Sequence, residues 1–390
     1  MSGNFCRACL ERAVHILIAP NAFKNSLGAT AVAEAIRQGL QSSRLKCTWE
    51  CFPVGDGGDG TADLLIQRCN GKIMPAEVHD PLGRKICSRF GLIDHGKTAV
   101  VELAEASGLR RLRHEEFDPL HANTFGTGEL VKCALDQGVG QIIIGVGGSA
   151  TVDGATGILQ ALGVRFLGAR RKILSNLPAD LADLELIDLS GWDHRIPHCA
   201  FTVLCDVKNP LLGEQGAAEV FGPQKGATGP VIDKLEAALT RLRDVVFRQI
   251  GRDLATIKRG GAAGGVAAGL RGLLNAELVN GIDYFLDVTD FGDALRKADL
   301  VITGEGHLDE QTLRGKGPFG VALRAKKKKI PVIGLAGRVS PQAEARLRRY
   351  FVKLLAISHP SLELDEAMGN TARDLRRTAR ELGNRLALEA

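Results

Sequence analysis

The chain has 390 residues, long enough for two or three domains that each bury a core. Its 47 glycines against 5 % aromatic residues point to an α/β enzyme with many backbone-lined loops, and a net charge of +5 suits a small anionic substrate while being too mild to argue for nucleic acid. The nine cysteines are an odd number scattered without framework spacing, which points to a reducing compartment rather than a disulfide scaffold.

Residues 1–12 read as a loose extension. Cys6 and Cys9 form a lone CxxC there, with no second CxxC to complete a zinc site. The extension lacks a signal-peptide core and no apolar run reaches membrane-spanning length, so a cytoplasmic protein with no membrane partner is expected. Residues 14–19 (VHILIA) form a short buried strand that Pro20 ends. A loop carrying Lys24 and Ser26 leads to a helix over 29–40, whose Val32, Ala35, Ile36 and Leu40 share one face. Lys24 and Ser26 therefore stand where strand becomes helix, the ligand-facing edge of an open α/β sheet; a solvated loop lysine is the alternative. Residues 47–54 alternate like a strand and give way to Gly55-Asp56-Gly57-Gly58-Asp59-Gly60-Thr61, with a helix from Ala62. Capping and the helix dipole explain one aspartate, whereas two flanked by glycines suit a magnesium nucleotide or a hydroxyl to be activated.

Residues 75–105 read as hairpins. Within them Gly91 to Thr98 satisfies the pattern GxxxxGKT, but a phosphate loop needs a helix directly after its lysine, and Ala99 to Leu103 is short and β-branched. The stretch is therefore a hairpin turn. Residues 121–128 introduce a helix over 129–137 that Thr124 or Thr127 could cap. Then comes the densest signal, residues 141–163: Ile142 to Ile144 as a buried strand, a loop with Gly145, Gly147 and Gly148, then Ser149, Thr151 and Asp153, and Ile158, Leu159 and Leu162 at helical spacing. A glycine loop before a helix can hold a phosphate. Taken alone, GVGGSA also fits a dinucleotide fingerprint, yet the acidic residue expected about 20 positions on is missing, since Gly168, Ala169, Arg170 and Arg171 stand there. A tight packing turn would not call for three hydrogen-bonding side chains in five positions.

His194 and His198 lie in an irregular region with Pro197 between them, which argues against a helical metal pair. Residues 201–205 form a strand ending in Asp206, followed by Asn209 and a glycine-rich run over 217–228. An amphipathic helix spans 232–250, and 260–269 (GGAAGGVAAG) is either flexible or a place of close backbone approach. A terminal α/β unit has strands at 300–303, 331–335 and 352–357. Behind the first come Gly304, Glu305, His307, Asp309, Thr312, Arg314 and Lys316, acids and bases beside glycines as a site at the carboxyl edge of a sheet would use. Residues 326–329 are four lysines on the solvated end of a helix, and the helices after 360 cover the sheet.

Eight collinear motifs then carry a likeness: APNAFKNSL at 19–27, GDGGDGT at 55–61, TFGTGEL at 124–130, IIIGVGGSATVDG at 142–154, DVKNPLLG at 206–213, VFGPQKGAT at 220–228, GAAGG at 261–265 and VITGEGHLDEQTLRGK at 301–316. In these the chain resembles the bacterial-type (type 1) glycerate kinases over nearly its full length. It departs from their pattern at Asn21, Gly55, Asp59, Val152 and His307. The resemblance implies ATP-dependent phosphorylation of D-glycerate with Mg2+, in this branch at the 2-hydroxyl to give 2-phosphoglycerate. A 3-phosphoglycerate-forming kinase, or a nicotinamide-dependent oxidoreductase using GVGGSA, are the alternatives.

It also implies a Rossmann- or flavodoxin-like α/β domain made of both chain ends (13–75 and 283–390), carrying an inserted mixed α/β domain (76–282), with the site in the cleft of the two. Lys24, Asp56 and Asp153 are the expected catalytic residues. Ser26, Gly57, Gly58, Gly147, Gly148, Ser149, Asp206, Asn209, Gly304, Glu305, Asp309 and Lys316 are expected to bind substrate or nucleotide, with Asp56 and Glu305 on the metal. Glycerate is the only partner expected, and a homo-oligomer is left open.

Overall fold

The computed structural model describes residues 13–359 and 362–389, so the Cys6–Cys9 pair lies outside the described residues. In chain order the first elements are β1 (Val14–Ile18), α1 (Ala29–Gln41) and β2 (Cys47–Cys51). Next come α2 (Thr61–Arg68), β3 (Lys72–His79), β4 (Lys85–Ile93), β5 (Thr98–Glu102), α3 (Ala104–Ser107), α4 (Phe125–Asp136), β6 (Gln141–Gly145) and α5 (Thr156–Ala161). They are followed by β7 (Arg165–Leu167), β8 (Leu186–Asp188), β9 (Ala200–Cys205), α6 (Ala217–Phe221), α7 (Gly229–Ile250), α8 (Val266–Leu274) and β10 (Glu277–Asn280). The chain ends with α9 (Gly281–Val288), α10 (Phe291–Lys297), β11 (Leu300–Leu308), α11 (Gly317–Lys327), β12 (Val332–Val339), α12 (Pro341–Leu347), β13 (Lys353–Ala356), α13 (Leu364–Gly369) and α14 (Thr371–Glu389). Among the described residues no helix is long and apolar enough to cross a membrane.

The chain divides into two compact units, residues 13–56 with 282–389, and residues 57–281. The first holds a parallel sheet ordered β13-β12-β11-β1-β2. Counted along this unit's own strands, that is the flavodoxin-like order 2-1-3-4-5, which reverses direction between β1 and β11. Parallel strands are covered on both faces and so read as unbroken apolar runs; Ile16, Leu17 and Ile18 are all wholly buried. On one face Ile16, Ile18, Ile302, Ile333 and Leu335 meet Val32, Ile36 and Leu40 of α1 and Leu375 and Leu382 of α14. The apolar stripe expected of α1 is thus the stripe it buries, and Gly39 lets α14 close in, because a Cβ there would collide with Arg376 O.

The second unit holds a mixed sheet ordered β10-β9-β6-β5-β4-β3, with antiparallel pairing from β3 to β5 and parallel pairing from β5 to β10, and a small antiparallel β7–β8 pair. The first division falls after Asp56 and not after residue 75 as the sequence suggested. The reason is pairing: β3 starts at Lys72 and runs beside β4 over its whole length, while Ile66 of α2 fills the space that Gly91 of β4 leaves open. Residues 91–98 cross from β4 through a short 3-10 turn (Asp94–Gly96) into β5, the hairpin expected instead of a phosphate loop. The GGAAGGVAAG run proves to be one of close approach: a side chain at Gly264 would strike Thr151 O and one at Gly269 would strike Gly154 O, and α8 begins inside the run.

Candidate active site

In the first unit, the carboxyl ends of β1, β2 and β11 deliver one group of side chains. Just beyond β1, the Asn21 backbone N–H donates to Gly304 O of β11 (2.9 Å), which ties the loop across the point where strand order reverses. The Asn21 side chain then donates from Nδ2 to Asp56 Oδ2 (2.8 Å) and accepts from the Ala22 N–H at Oδ1 (2.8 Å). Asp56 and Glu305 are both buried, 4 % and 6 % exposed. Glu305 accepts from the Thr312 hydroxyl (2.8 Å). Burial pushes the Glu305 carboxyl up to about 7, against the pull of Lys316 and Thr312 and with added repulsion from Asp56 and Asp309. A carboxyl of that kind can give or take a proton near neutrality.

The neighbouring positions shape this group. Asp309 accepts the Gln311 and Thr312 N–H groups at Oδ1, closing the turn that carries Thr312 back to Glu305. Lys316 is the residue before α11, and Gly317 lies so close to Asn21 that a Cβ would come within 2.8 Å of Nδ2. Gly304 is required by β12, since a side chain there would overlap Leu335 O. Lys24 is exposed at the tip of a turn closed by paired Phe23 and Leu27 backbone bonds. The Ser26 hydroxyl bonds Met368 O (2.8 Å) and Thr371 Oγ1 (2.7 Å), fastening the loop to the C-terminal helices.

In the second unit, two glycine loops lie against each other. The Gly147 N–H donates to Gly57 O (3.0 Å), and a Cβ on Gly147 would overlap the Gly58 Cα. Gly57 has φ +91° with Leu204 O 2.8 Å from where its Cβ would be, so this turn admits glycine alone. Gly148 O accepts from the Leu109 N–H, and Ser149 bridges to Gly108. Glu102, at the end of β5, accepts the Gly60 and Ala62 N–H groups and so caps α2. Its burial, together with the hydrogen bond its protonated carboxyl donates to Asp59, holds its carboxyl well above the usual carboxylate range. Asp59 in turn pairs with Arg110 (3.1 Å). The second aspartate of GDGGDG thus closes the loop, and Asp56 is not the helix cap.

The loop of Gly147 to Ser149 does not open a helix. α5 starts only at Thr156, after Ala155 at φ +70°, and has six residues. Helix N-terminal donors are therefore not what this loop offers, and the dinucleotide arrangement is absent. Asp153, expected to be catalytic, is wholly buried. Its Oδ2 accepts from the Thr124 N–H, the Thr124 hydroxyl and the Gly157 N–H, and its Oδ1 from the Ala155 N–H. Burial raises its pKa against those bonds. It staples the start of α4 to α5, and the Thr124 hydroxyl, expected as a cap, is spent on that staple. Asp206 stands half-buried beyond β9, and Asn209 braces its own loop through Gln215 O (2.9 Å) and the Gly261 N–H (3.0 Å).

Sequence reasoning passed over Lys225. It is 2 % exposed, and its ammonium donates to Ser149 Oγ (2.7 Å) and Thr151 O (2.6 Å). Burial pushes its pKa down to about 7, partly offset by Asp153. The available signal was a single charge, set between Gly222 and Gly226 in the motif 220–228, which has no other. Among the described residues no three His, Cys, Asp or Glu side chains converge to enclose a metal. Asp56 and Glu305 are a pair, which is the number of protein carboxylates a magnesium ion shared with phosphates takes.

The sequence model of the glycerate kinase family matches residues 16–387. The chain is 42 % identical to a Bacillus subtilis (strain 168) protein named glycerate kinase, over 96 % of this chain and 98 % of that one. It is 39 % identical to the Escherichia coli (strain K12) glycerate 2-kinase, over 96 % and 98 %. A crystal structure from Salmonella typhimurium LT2, described as a glycerate kinase 2, superimposes with a TM-score of 0.81 at 40 % identity, covering 97 % of this chain and 99 % of that one.

Proposed function

The chain belongs to the glycerate kinase family, and on that premise we propose that it moves the γ-phosphoryl group of ATP to the 2-hydroxyl of D-glycerate, giving 2-phosphoglycerate and ADP. One observation carries the reading. Two buried carboxyls, Asp56 and Glu305, stand with Lys316 where the strand order of the first unit reverses, the place at which open α/β sheets hold ligands. In the transfer, an oxygen–phosphorus bond forms from the glycerate hydroxyl, the bond from the γ-phosphorus to the ADP oxygen breaks, and the hydroxyl proton leaves. Asp56, oriented by Asn21, accepts that proton. Lys24 and Lys316 supply positive charge for the phosphates.

Mg2+ suits Asp56 and Glu305: burial, with added repulsion from Asp56 and Asp309, favours the uncharged form of Glu305, and a cation held by the two carboxyls would offset both. When bound it neutralises phosphate charge during transfer. Free thiols at Cys47, Cys87, Cys133, Cys199 and Cys205 fit a reducing cytoplasm.

Purified protein supplied with D-glycerate and Mg-ATP is expected to release ADP, and enolase alone is expected to turn the product into phosphoenolpyruvate. A requirement for phosphoglycerate mutase as well would assign the 3-hydroxyl instead. Absence of ADP, with reduced nicotinamide appearing on addition of NAD, would overturn the kinase reading.

A further inference from the structure

Lys225 is an expensive residue for the interior of the second unit: a lysine with 2 % exposure and no carboxylate bonded to it. The backbone around it is pinned, with Gly226 at φ +94° pressed against Phe117 so that a Cβ would lie 2.6 Å from Phe117 O. Its ammonium is therefore delivered to one place, the loop from Gly147 to Thr151.

The hydrogen-bond inventory of Ser149 shows what that placement does. A serine hydroxyl has one proton and two lone pairs. Lys225 has no lone pair while charged, so it occupies one of Ser149's lone pairs as donor, and the serine proton must go elsewhere. Among the described residues, Lys225 is the only hydrogen-bond partner recorded for Ser149 Oγ. The same ammonium donates to Thr151 O, and the Thr151 hydroxyl is wholly buried with no hydrogen-bond partner among the described residues. A serine proton with no bonded acceptor beside a buried cation, on a loop that also carries the Gly147–Gly148 turn, is a donor awaiting an acceptor. We infer that Lys225 is a positioning residue that turns the Ser149 hydroxyl proton toward an oxyanion of the reactants, either a nucleotide phosphate or the carboxylate of the organic acid. The inference rests on the kinase reading for the identity of those oxyanions. Burial lowers the Lys225 pKa and the charge of Asp153 offsets only part of that, so the ammonium depends on its bonds to Ser149 Oγ and Thr151 O.

The test is a double-mutant cycle in the full chain with Ser149→Ala, Lys225→Met and the pair, reading equilibrium affinity for ADP and for D-glycerate by calorimetry alongside KM and kcat. Ser149→Ala is expected to weaken one of the two ligands by about 10- to 100-fold, the range for a lost hydrogen bond to a charged group. Lys225→Met should weaken that same ligand, leave the other within about twofold, and add nothing further in the double variant. The ligand affected identifies the oxyanion. Additive losses, an unchanged Lys225→Met protein, or equal weakening of both ligands would overturn the inference. Should Lys225→Met fail to fold, Ser149→Ala decides alone, and wild-type affinity for both ligands would overturn it. Absence of wild-type turnover would count against the kinase reading only, because the binding cycle stands without it.

Discussion

Asp56 and Asp153 are the same residue type in glycine-rich loops, and their surroundings separate their roles. Asp56 accepts from the Asn21 side chain, whereas the oxygens of Asp153 accept from the Thr124 N–H and hydroxyl and from the Ala155 and Gly157 N–H groups. Because Glu102 caps α2, removing the Asp56 charge costs no cap. Asp56→Asn is therefore expected to keep its melting temperature and lose about 100- to 10,000-fold in kcat. Asp153→Asn is expected to do the reverse. Its amide nitrogen would face N–H donors in the interior, a loss of about 1–3 kcal/mol. That corresponds to a fall of roughly 2–10 °C in Tm, with kcat reduced far less than in Asp56→Asn. Scanning calorimetry and steady-state kinetics on the two variants check the contrast, and an active Asp56→Asn protein would move the proton-accepting role to Glu305. The side-chain chemistry of both aspartates was legible in the sequence. Their burial was not, since a carboxylate next to glycines reads alike whether its oxygens face a ligand or the N–H groups of Ala155 and Gly157.

Among the elements, β6 and the loop after it show how far local pattern carries. The isoleucine run predicts a buried strand and the structure has one, because three β-branched residues on a covered parallel strand leave few other choices. The helix expected after the glycine loop begins at Thr156, and residues 149–155 between them are held by long-range bonds such as Ala150 N–H to Ser107 O and Gly154 N–H to Gly264 O. Partners that far along the chain leave no local trace. The same long-range contacts make Gly147 a packing requirement. Gly147→Ala is expected to lose about 1–3 kcal/mol of stability by overpacking against Gly58. Gly140→Ala, at a position with nothing within 4 Å of a new Cβ, should change little beside it. Urea unfolding of the pair distinguishes this from a generic glycine effect, and equal midpoints would contradict it.

For the whole molecule, the eight motifs were enough to place the chain in its family, but not to find where the second unit begins, since α2 and β3 join it through pairing with strands later in the chain. That unit has a core built entirely from its own residues, from Val78 to Ala276. Residues 57–281 made alone are therefore expected to unfold in one cooperative urea transition with the circular dichroism of a mixed α/β protein. A broad, non-cooperative transition would show that the segment depends on the rest of the chain. Its ends also have a particular position: Gly57 rests against Leu204, and Asn280 lies opposite Cys205, so the segment enters and leaves at the carboxyl end of β9. The two ends are thus about two strand spacings apart, on the order of 10 Å. In the gene, the stretch coding for residues 57–281 has the character of a cassette. It could be lifted out and a few codons left in its place, because a gap that narrow is spanned by a short linker, whose closure entropy is small.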